Sequence, residues 1–408
     1  MNSPVAVAGN CGPKVRSDCE MTLAIESDGG ISITLSSKVE SLYGSSIRQL
    51  ASETLDFYGI KHASVSIIDS GALPFVISAR LEAAVKKLTG DTRDYLPEFR
   101  NRDLPASKRE RMRFSRLYLP GNTPSLMINA GLHSADGLIL DLEDSVAPGK
   151  KDEARVLVRN ALRQLDFYGA ERMVRINQGE TGIKDLEAVI PQNINLVVIP
   201  KCENAGQVLD VRSVISSVKK KSGIEGEVFL MPVIETAIGV ENAFGISTSS
   251  QDVVAVAIGL EDYTADLGVQ RTAEGLESFY ARTRIINAAR AAGIQPIDSV
   301  FSDIGDLDAL KNNVKISKSL GFEGMGCIHP RQVEVIRQGF APSADETEKA
   351  KKIILAFDEA VRCGSGVIAF GSKMIDAPVV ARAHRTVSQA VSLGFLPVNW
   401  KEAEAGSL

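Results

Sequence analysis

Val228-Phe-Leu-Met-Pro-Val-Ile-Glu235 and Val253-Val-Ala-Val-Ala-Ile-Gly259 are the two stretches on which the fold turns. Each is an almost unbroken apolar run, short and rich in β-branched residues. A half-exposed strand alternates polar and apolar positions. A run that is apolar throughout reads instead as a strand buried on both faces, the habit of parallel sheets covered by helices. Working outward, comparable runs recur at Leu117-Tyr-Leu-Pro120, Gly137-Leu-Ile-Leu-Asp141, Met173-Val-Arg-Ile-Asn177 and Leu196-Val-Val-Ile-Pro200, and again at Ile297-Asp-Ser-Val-Phe301 and Gly324-Met-Gly-Cys-Ile-His329. Helix-compatible stretches such as Ala273 to Ala292 separate most of them. Eight β/α units over residues 113–340 predict a TIM (β/α)8 barrel, the first and seventh strands being the least regular.

The flanks read differently. Residues 1–88 carry alternating strand-like runs at Cys19–Ile25, Gly30–Leu35 and Ala63–Asp69. Helical stretches lie at Ile47–Tyr58 and Ser78–Leu88, so a small α+β domain is expected. Residues 89–112 are dense in charge and poor in apolar side chains, which reads as a solvated linker or a loose surface helix. Residues 341–408 return to helical patterning, Ser343 to Val361 and Ala377 to Leu393, and form a C-terminal helical appendage.

The 408 residues are 44% hydrophobic and 24% charged, the composition of a globular chain of two or three domains. Lys+Arg 46 against Asp+Glu 51 gives net charge −5, which argues against a nucleic-acid or anionic-membrane partner. No apolar run reaches membrane-spanning length, and the start of the chain carries no secretory signal. Cys11, Cys19, Cys202, Cys327 and Cys363 are widely spaced with no CxxC pair, so reduced thiols and a cytoplasmic location are expected.

In a TIM barrel the chemistry sits where the strands end. Those ends offer Asp141-Leu-Glu-Asp144, Arg175 and Asn177, Lys201, Glu235, Glu261-Asp262-Tyr263 and His329. Glu235 and Asp262 come from neighbouring strands and supply two hard oxygen ligands, the usual protein share of a Mg²⁺ site. Alternatively they pair with nearby Arg or Lys. Arg175 offers a planar fork for a substrate carboxylate or carbonyl, or a structural ion pair at the rim. Glu143 and Asp144 can accept from metal-bound water, or Asp144 can cap a helix. His329, ahead of Pro330, reads as structural. A metal and an arginine facing one small space suit a 2-oxo acid, because both stabilise enolate charge when the adjacent C–C bond breaks.

Further runs add to these. Leu119-Pro-Gly-Asn122, Asp141-Leu-Glu-Asp144, Val174-Arg-Ile-Asn177, Ile234-Glu-Thr-Ala-Ile-Gly239, Glu261-Asp-Tyr263, Cys327-Ile-His-Pro330 and Lys373-Met-Ile-Asp-Ala-Pro378 resemble the citrate lyase β-subunit family. That family lies within the HpcH/HpaI aldolase superfamily, which includes malyl-CoA and citramalyl-CoA lyases. The resemblance covers residues 113–393, in order and at similar intervals. It implies a Mg²⁺-dependent barrel that cleaves or condenses 3-hydroxyacyl thioesters. By position, Arg175 matches the arginine that binds the oxo acid, Glu235 and Asp262 the metal ligands, and Asp376 the proton carrier. In relatives that aspartate reaches a neighbouring subunit's site, which implies a homo-oligomer. Read without the resemblance, Asp376 is a helix cap.

Residues 1–88 resemble the citrate lyase acyl carrier, the γ subunit, through Pro4-Val-Ala-Val-Ala-Gly9, Ser36-Ser-Lys-Val39, Gly44-Ser-Ser-Ile-Arg48, Tyr58-Gly59, Asp69-Ser-Gly-Ala-Leu73 and Ala79-Arg-Leu-Glu-Ala83. The carrier family holds its phosphoribosyl-dephospho-CoA arm on a serine two residues before an aspartate. Here the run is Val15-Arg16-Ser17-Asp18. Anchoring on Asp18 puts Arg16 at the attachment position, and Ser17 serves only if the register slips by one. A citryl-like thioester lyase is the expected activity, in company with a citrate lyase α-type transferase subunit. The alternatives are a malyl-CoA or citramalyl-CoA type lyase acting on free CoA thioesters, with residues 1–88 as a docking module, and a non-catalytic scaffold subunit.

Overall fold

The computed structural model describes residues 4–362, 368–370 and 373–405. The chain divides into two compact units, Met1–Glu334 and Val335–Leu408. Cys363 lies outside the described residues.

The first unit opens with a four-stranded sheet in the order β1-β2-β4-β3, formed by β1 (Val5–Gly9), β2 (Cys19–Ile25), β3 (Ile31–Ser37) and β4 (Ala63–Asp69). The expected α+β domain is present, with β1 as an added edge strand. In β4 the positions Ala63, Val65, Ile67 and Asp69 are buried while Ser64, Ser66 and Ile68 are exposed, so the sheet is dry on one face only. Helices Glu40–Phe57 and Pro74–Thr89 cover the dry face, and Met21, Leu23, Val65, Leu55, Ile77 and Leu81 share one core.

Residues 90–114 form neither strand nor helix, and they are not solvated throughout. Asn101 is buried, its amide donating to the carbonyls of Leu162 and Leu165 at 2.7 Å each. Arg113 is fully buried in a bidentate pair with Glu171 at 2.7 and 2.8 Å. The charged side chains of 90–112 are nonetheless mostly exposed, Glu98, Arg100, Arg102, Asp103, Lys108 and Glu110 among them, as the charge density predicts.

Eight parallel strands follow: β5 (Ser115–Pro120), β6 (Gly137–Asp141), β7 (Glu171–Arg175), β8 (Leu196–Ile199), β9 (Phe229–Ile234), β10 (Ala255–Ile258), β11 (Gln295–Ile297) and β12 (Met325–Cys327). The sheet runs β11-β10-β9-β8-β7-β6-β5-β12. A parallel bridge between Asp298 and Met325 joins the two ends, so the sheet closes as the TIM barrel the sequence predicts. Inward positions alternate with positions under the helices: Leu196 and Val198 of β8 join Ile139, Met173, Met231, Val233, Ala255 and Ile297 in the interior cluster. The seventh strand lies two residues earlier than its apolar run, at Gln295–Ile297.

In the second unit, helices Ala344–Arg362 and Ala377–Ser392 pack through Ile353, Ile354, Val380, Ala383 and Val387, with Trp400 on the same core. A short antiparallel pair, β13 (Ile368–Phe370) and β14 (Lys373–Ile375), leads into the second of these helices. Among the described residues no helix is long and apolar enough to cross a membrane.

Candidate active site

A cavity of about 340 Å³ opens at the C-terminal ends of the barrel strands. Arg175, Glu235, Asp262 and Asp144 all line it, with Tyr118, Asp141 and Gly259. A strand-by-strand reading of the sequence cannot tell which ends face one space; closing the barrel brings these four together.

Arg175 ends β7 directly opposite Asp141, which ends β6. Its Nε and Nη2 donate to the two Asp141 carboxylate oxygens at 2.7 Å each. Nη1 lies 3.1 Å from Glu143 Oε2, and the guanidinium sits 5.2 Å from the Tyr118 ring centroid. Burial alone raises the Asp141 carboxyl, but the guanidinium overrides it and holds it below the usual carboxylate range. Part of the fork is therefore spent on orientation by Asp141, and Nη1 also faces Glu143.

Glu235 follows β9 and is 5% exposed. Its Oε2 accepts the backbone N–H of Lys201 at 2.9 Å, and it has no ion pair among the described residues. Burial pushes its carboxyl up to about 7. Gly259, after β10, makes room for it: a Cβ there would lie 2.4 Å from Glu235 Oε1. Asp262 stands in the first turn of the helix Leu260–Asp266, which starts at that glycine. Its nearest cation is the Lys201 ammonium, 3.9 Å away.

Lys201, a strand-end residue to which the sequence assigns no role, ties the two halves of the site together. It adopts a left-handed backbone with φ +47°, rare for a residue with a Cβ, and this turns its N–H to Glu235. Its ammonium donates to Glu143 Oε1 at 2.7 Å and to Asp144 at 3.0 and 3.2 Å. Glu143 is thus buried between Arg175 and Lys201, while Asp144 is exposed at the mouth. Asp141 is likewise a named strand end whose role as the partner of Arg175 the sequence leaves unassigned, though the signal is legible: an acid ending one strand beside a strand that ends in arginine.

Two sequence candidates belong to other elements of the chain. Ser17 belongs to the N-terminal sheet domain, with φ +56° and its N–H bonded to the Ser70 carbonyl at 2.9 Å. Asp376 belongs to the second unit, where it is the N-cap of helix Ala377–Ser392 and accepts from Val379 N at 3.4 Å. His329 Nδ1 accepts the Arg331 N–H at 3.1 Å, a structural role as expected.

Two carboxylates at one cavity, Glu235 with no ion pair among the described residues and Asp262 with only the 3.9 Å approach of Lys201, are a donor set for a hard divalent ion. Among the described residues no three His, Cys, Asp or Glu side chains converge as a metal cage. An ion here would complete its shell with water and substrate oxygen, which is how Mg²⁺ is ordinarily held.

Comparison with known proteins agrees with this architecture. A family model for HpcH/HpaI aldolase/citrate lyase matches residues 115–330, and one for the malonate decarboxylase delta subunit matches residues 6–88. The chain is 38% identical over 284 residues to the citrate lyase subunit beta of Leuconostoc mesenteroides, covering 69% of this chain and 94% of that one. It is 32% identical to the mitochondrial citramalyl-CoA lyase of Homo sapiens, covering 68% and 85%. Protein CitE of Mycobacterium tuberculosis, solved in complex with magnesium, acetoacetate and coenzyme A, superposes with TM-score 0.56 at 30% identity, covering 69% of this chain and 99% of that one. The closed barrel with its acid-lined mouth, joined in one chain to an acyl-carrier-type domain, belongs to the HpcH/HpaI aldolase/citrate lyase family.

Proposed function

We propose that this chain is a Mg²⁺-dependent carbon–carbon lyase that cleaves a citryl-like 3-hydroxyacyl thioester to an oxo acid and an acyl thioester. The observation that carries the reading is the convergence of Arg175, Glu235 and Asp262 on one cavity. Glu235 and Asp262 would hold the ion, which when bound would supply positive charge beside the alkoxide oxygen that becomes the oxo acid's carbonyl. Arg175, fixed by Asp141, grips the carboxylate of the oxo-acid half. As the substrate hydroxyl gives up its proton to a solvent water, its oxygen becomes the new carbonyl. The C–C bonding pair passes to the acyl α-carbon, which the thioester carbonyl stabilises as an enolate. Asp376, contributed by a second copy in a homo-oligomer, carries the proton for the acyl carbon.

A second reading is favoured by one feature of the N-terminal domain. Arg16, which cannot carry a phosphodiester, stands at the position of the carrier family's attachment serine, so the substrate is a free CoA thioester of the malyl or citramalyl kind. Attachment of an arm at Ser17, with an α-type transferase as partner, is the covalent version of the first reading. The intact mass of protein from its native host separates the two, because the arm is a large added mass.

The activity itself is tested by incubating the purified chain with Mg²⁺ and citryl-CoA, citramalyl-CoA or malyl-CoA, and measuring oxaloacetate, pyruvate and glyoxylate. Release of an oxo acid from at least one thioester is expected. No cleavage of any of the three, with the protein folded, would overturn the reading.

A further inference from the structure

Helix Pro74–Thr89 is buried on almost every side from Phe75 to Val85, because one face covers its own sheet and the other lies on the barrel helix Lys151–Gln164. Two clusters of buried charge pin this seam. One is Arg159 of the barrel, whose Nη1 and Nη2 each donate at 2.7 Å to the Glu82 carboxylate, with Asp94 at 2.7 Å from Nη1. The other is Arg80 of the N-terminal domain, which has no exposed surface.

Arg80 does two things at once. Its Nε and Nη2 form a bidentate pair with Asp18 at 2.9 Å each. Its Nη1 donates to Asn122 Oδ1 at 2.6 Å and Nη2 to the Asn122 carbonyl at 3.2 Å. Glu153 completes the cluster: it lies 3.5 Å from Arg80, accepts from Asn122 Nδ2 at 3.3 Å and accepts the Gly9 N–H at 3.2 Å. Every charge in the cluster has a fixed geometric partner, which is the condition under which a buried ionic network specifies one arrangement.

Asn122 is not an arbitrary anchor. It closes the segment Leu119-Pro-Gly-Asn122 that leaves β5 at the rim. Pro120 of that segment lines the cavity. Gly121 donates its N–H to the Asp141 carbonyl at 2.7 Å, at so close an approach that a Cβ would stand 2.4 Å from that oxygen. Asp141 in turn holds Arg175. An unbroken chain of contacts therefore runs Asp18, Arg80, Asn122, Gly121, Asp141, Arg175.

We infer that Arg80 is a positioning residue for the lyase reaction: by clamping Asn122 it seats the rim segment against Asp141, so the N-terminal domain is a fixed part of the oxo-acid site. The inference rests on the proposed role of Arg175 in binding the oxo acid. It follows that loosening Asn122 misplaces Arg175, and that loosening the seam elsewhere does not. Arg159 supplies the contrast, since it ties the same two bodies together without touching the rim segment.

The test uses the full chain with Mg²⁺, titrated with pyruvate and with oxaloacetate, for the unmodified protein and for Asn122→Ala, Arg80→Lys and Arg159→Met. Asn122→Ala and Arg80→Lys should each weaken oxo-acid binding about tenfold, with Mg²⁺ affinity unchanged. Adding Arg175→Lys to Asn122→Ala should cost little beyond Arg175→Lys alone, because both act through one guanidinium. Arg159→Met should lower the thermal midpoint and leave oxo-acid affinity where it was. Asn122→Ala with unchanged affinity, or Arg159→Met weakening binding as much as Asn122→Ala, would overturn the inference while leaving the lyase reading intact. An unmodified protein that binds neither acid would overturn the reading of Arg175 itself, and the inference with it.

Discussion

Asp141 and Arg175 stand opposite each other in the parallel ladder between β6 and β7, and their side chains close a bidentate pair at 2.7 Å for both bonds. Register and chemistry coincide: neighbouring strands end at the same level, one in an acid and one in a base, so the guanidinium is oriented before any ligand arrives. Asp141→Asn should therefore lower kcat/KM about 100-fold, the size of effect expected from misplacing a positioning group. The buried guanidinium would also lose the closer of its two counter-charges, keeping Glu143, so a fall in thermal midpoint should accompany the loss. Steady-state kinetics beside a thermal scan checks both. Full activity in Asp141→Asn would mean that Arg175 needs no orientation.

The cavity's other wall predicts a pH dependence. Burial pushes Glu235 up to about 7, against 4.5 for an exposed glutamate. A raised carboxyl costs stability wherever the pH exceeds its unfolded value. Metal-free protein should therefore lose stability between about pH 4.5 and pH 7, by roughly 3 kcal/mol from this group, and no more above that. Mg²⁺ needs the carboxylate, so its affinity should rise with pH up to about 7 and then level off. Calorimetric titration from pH 5.5 to 8.5 reads this directly, and Glu235→Gln should abolish the slope. A flat profile in the unmodified protein would remove Glu235 from the ion's site.

Gly259→Ala tests the same carboxylate by sterics. A methyl group 2.4 Å from Glu235 Oε1 cannot be accommodated without moving it, while the glycine's own backbone, at φ −110°, tolerates alanine. Mg²⁺ affinity should fall at least about tenfold, the order seen when metal-site geometry is disturbed, with the far-ultraviolet circular dichroism unchanged. Unaltered Mg²⁺ affinity would show that the carboxylate's present position is not the one the ion uses.

Asp376 has two readings, helix cap and proton carrier for another subunit, and the cap is the one its own helix displays. Mixing Asp376→Ala with Arg175→Ala under conditions that allow subunit exchange separates them. Hybrid assemblies should regain activity, because some sites then combine an intact arginine from one chain with an intact aspartate from another. Verified exchange without recovery would leave Asp376 a cap.

The sequence displayed more of the barrel than of its mouth. Apolar runs such as Gly137–Asp141 coincide with strands because a strand buried on both faces has little freedom in composition. The edge strand Val5–Gly9 escaped notice because its pairing with β2 is a tertiary event, and its five residues are too few to declare a period. Residues 89–112 are mostly exposed, as their charge predicts; the buried Asn101 is the exception, because its amide meets two carbonyls some sixty residues along the chain, which no local pattern records. At the site, Arg175, Glu235 and Asp262 were legible from strand ends. Lys201 was legible as a strand end but its role was not: that comes from a left-handed backbone and from three carboxylates drawn from two other strand ends, none of which a linear pattern records.

The central claim is that Glu235 and Asp262 hold the ion on which thioester cleavage depends, and the most direct measurement is lyase rate against Mg²⁺ concentration for the unmodified chain, Glu235→Ala and Asp262→Ala. The account predicts no activity in chelator and restoration by Mg²⁺ in the unmodified chain. Either variant should need far more Mg²⁺, or fail to respond, while remaining folded. Undiminished cleavage by the unmodified chain in chelator would contradict the account.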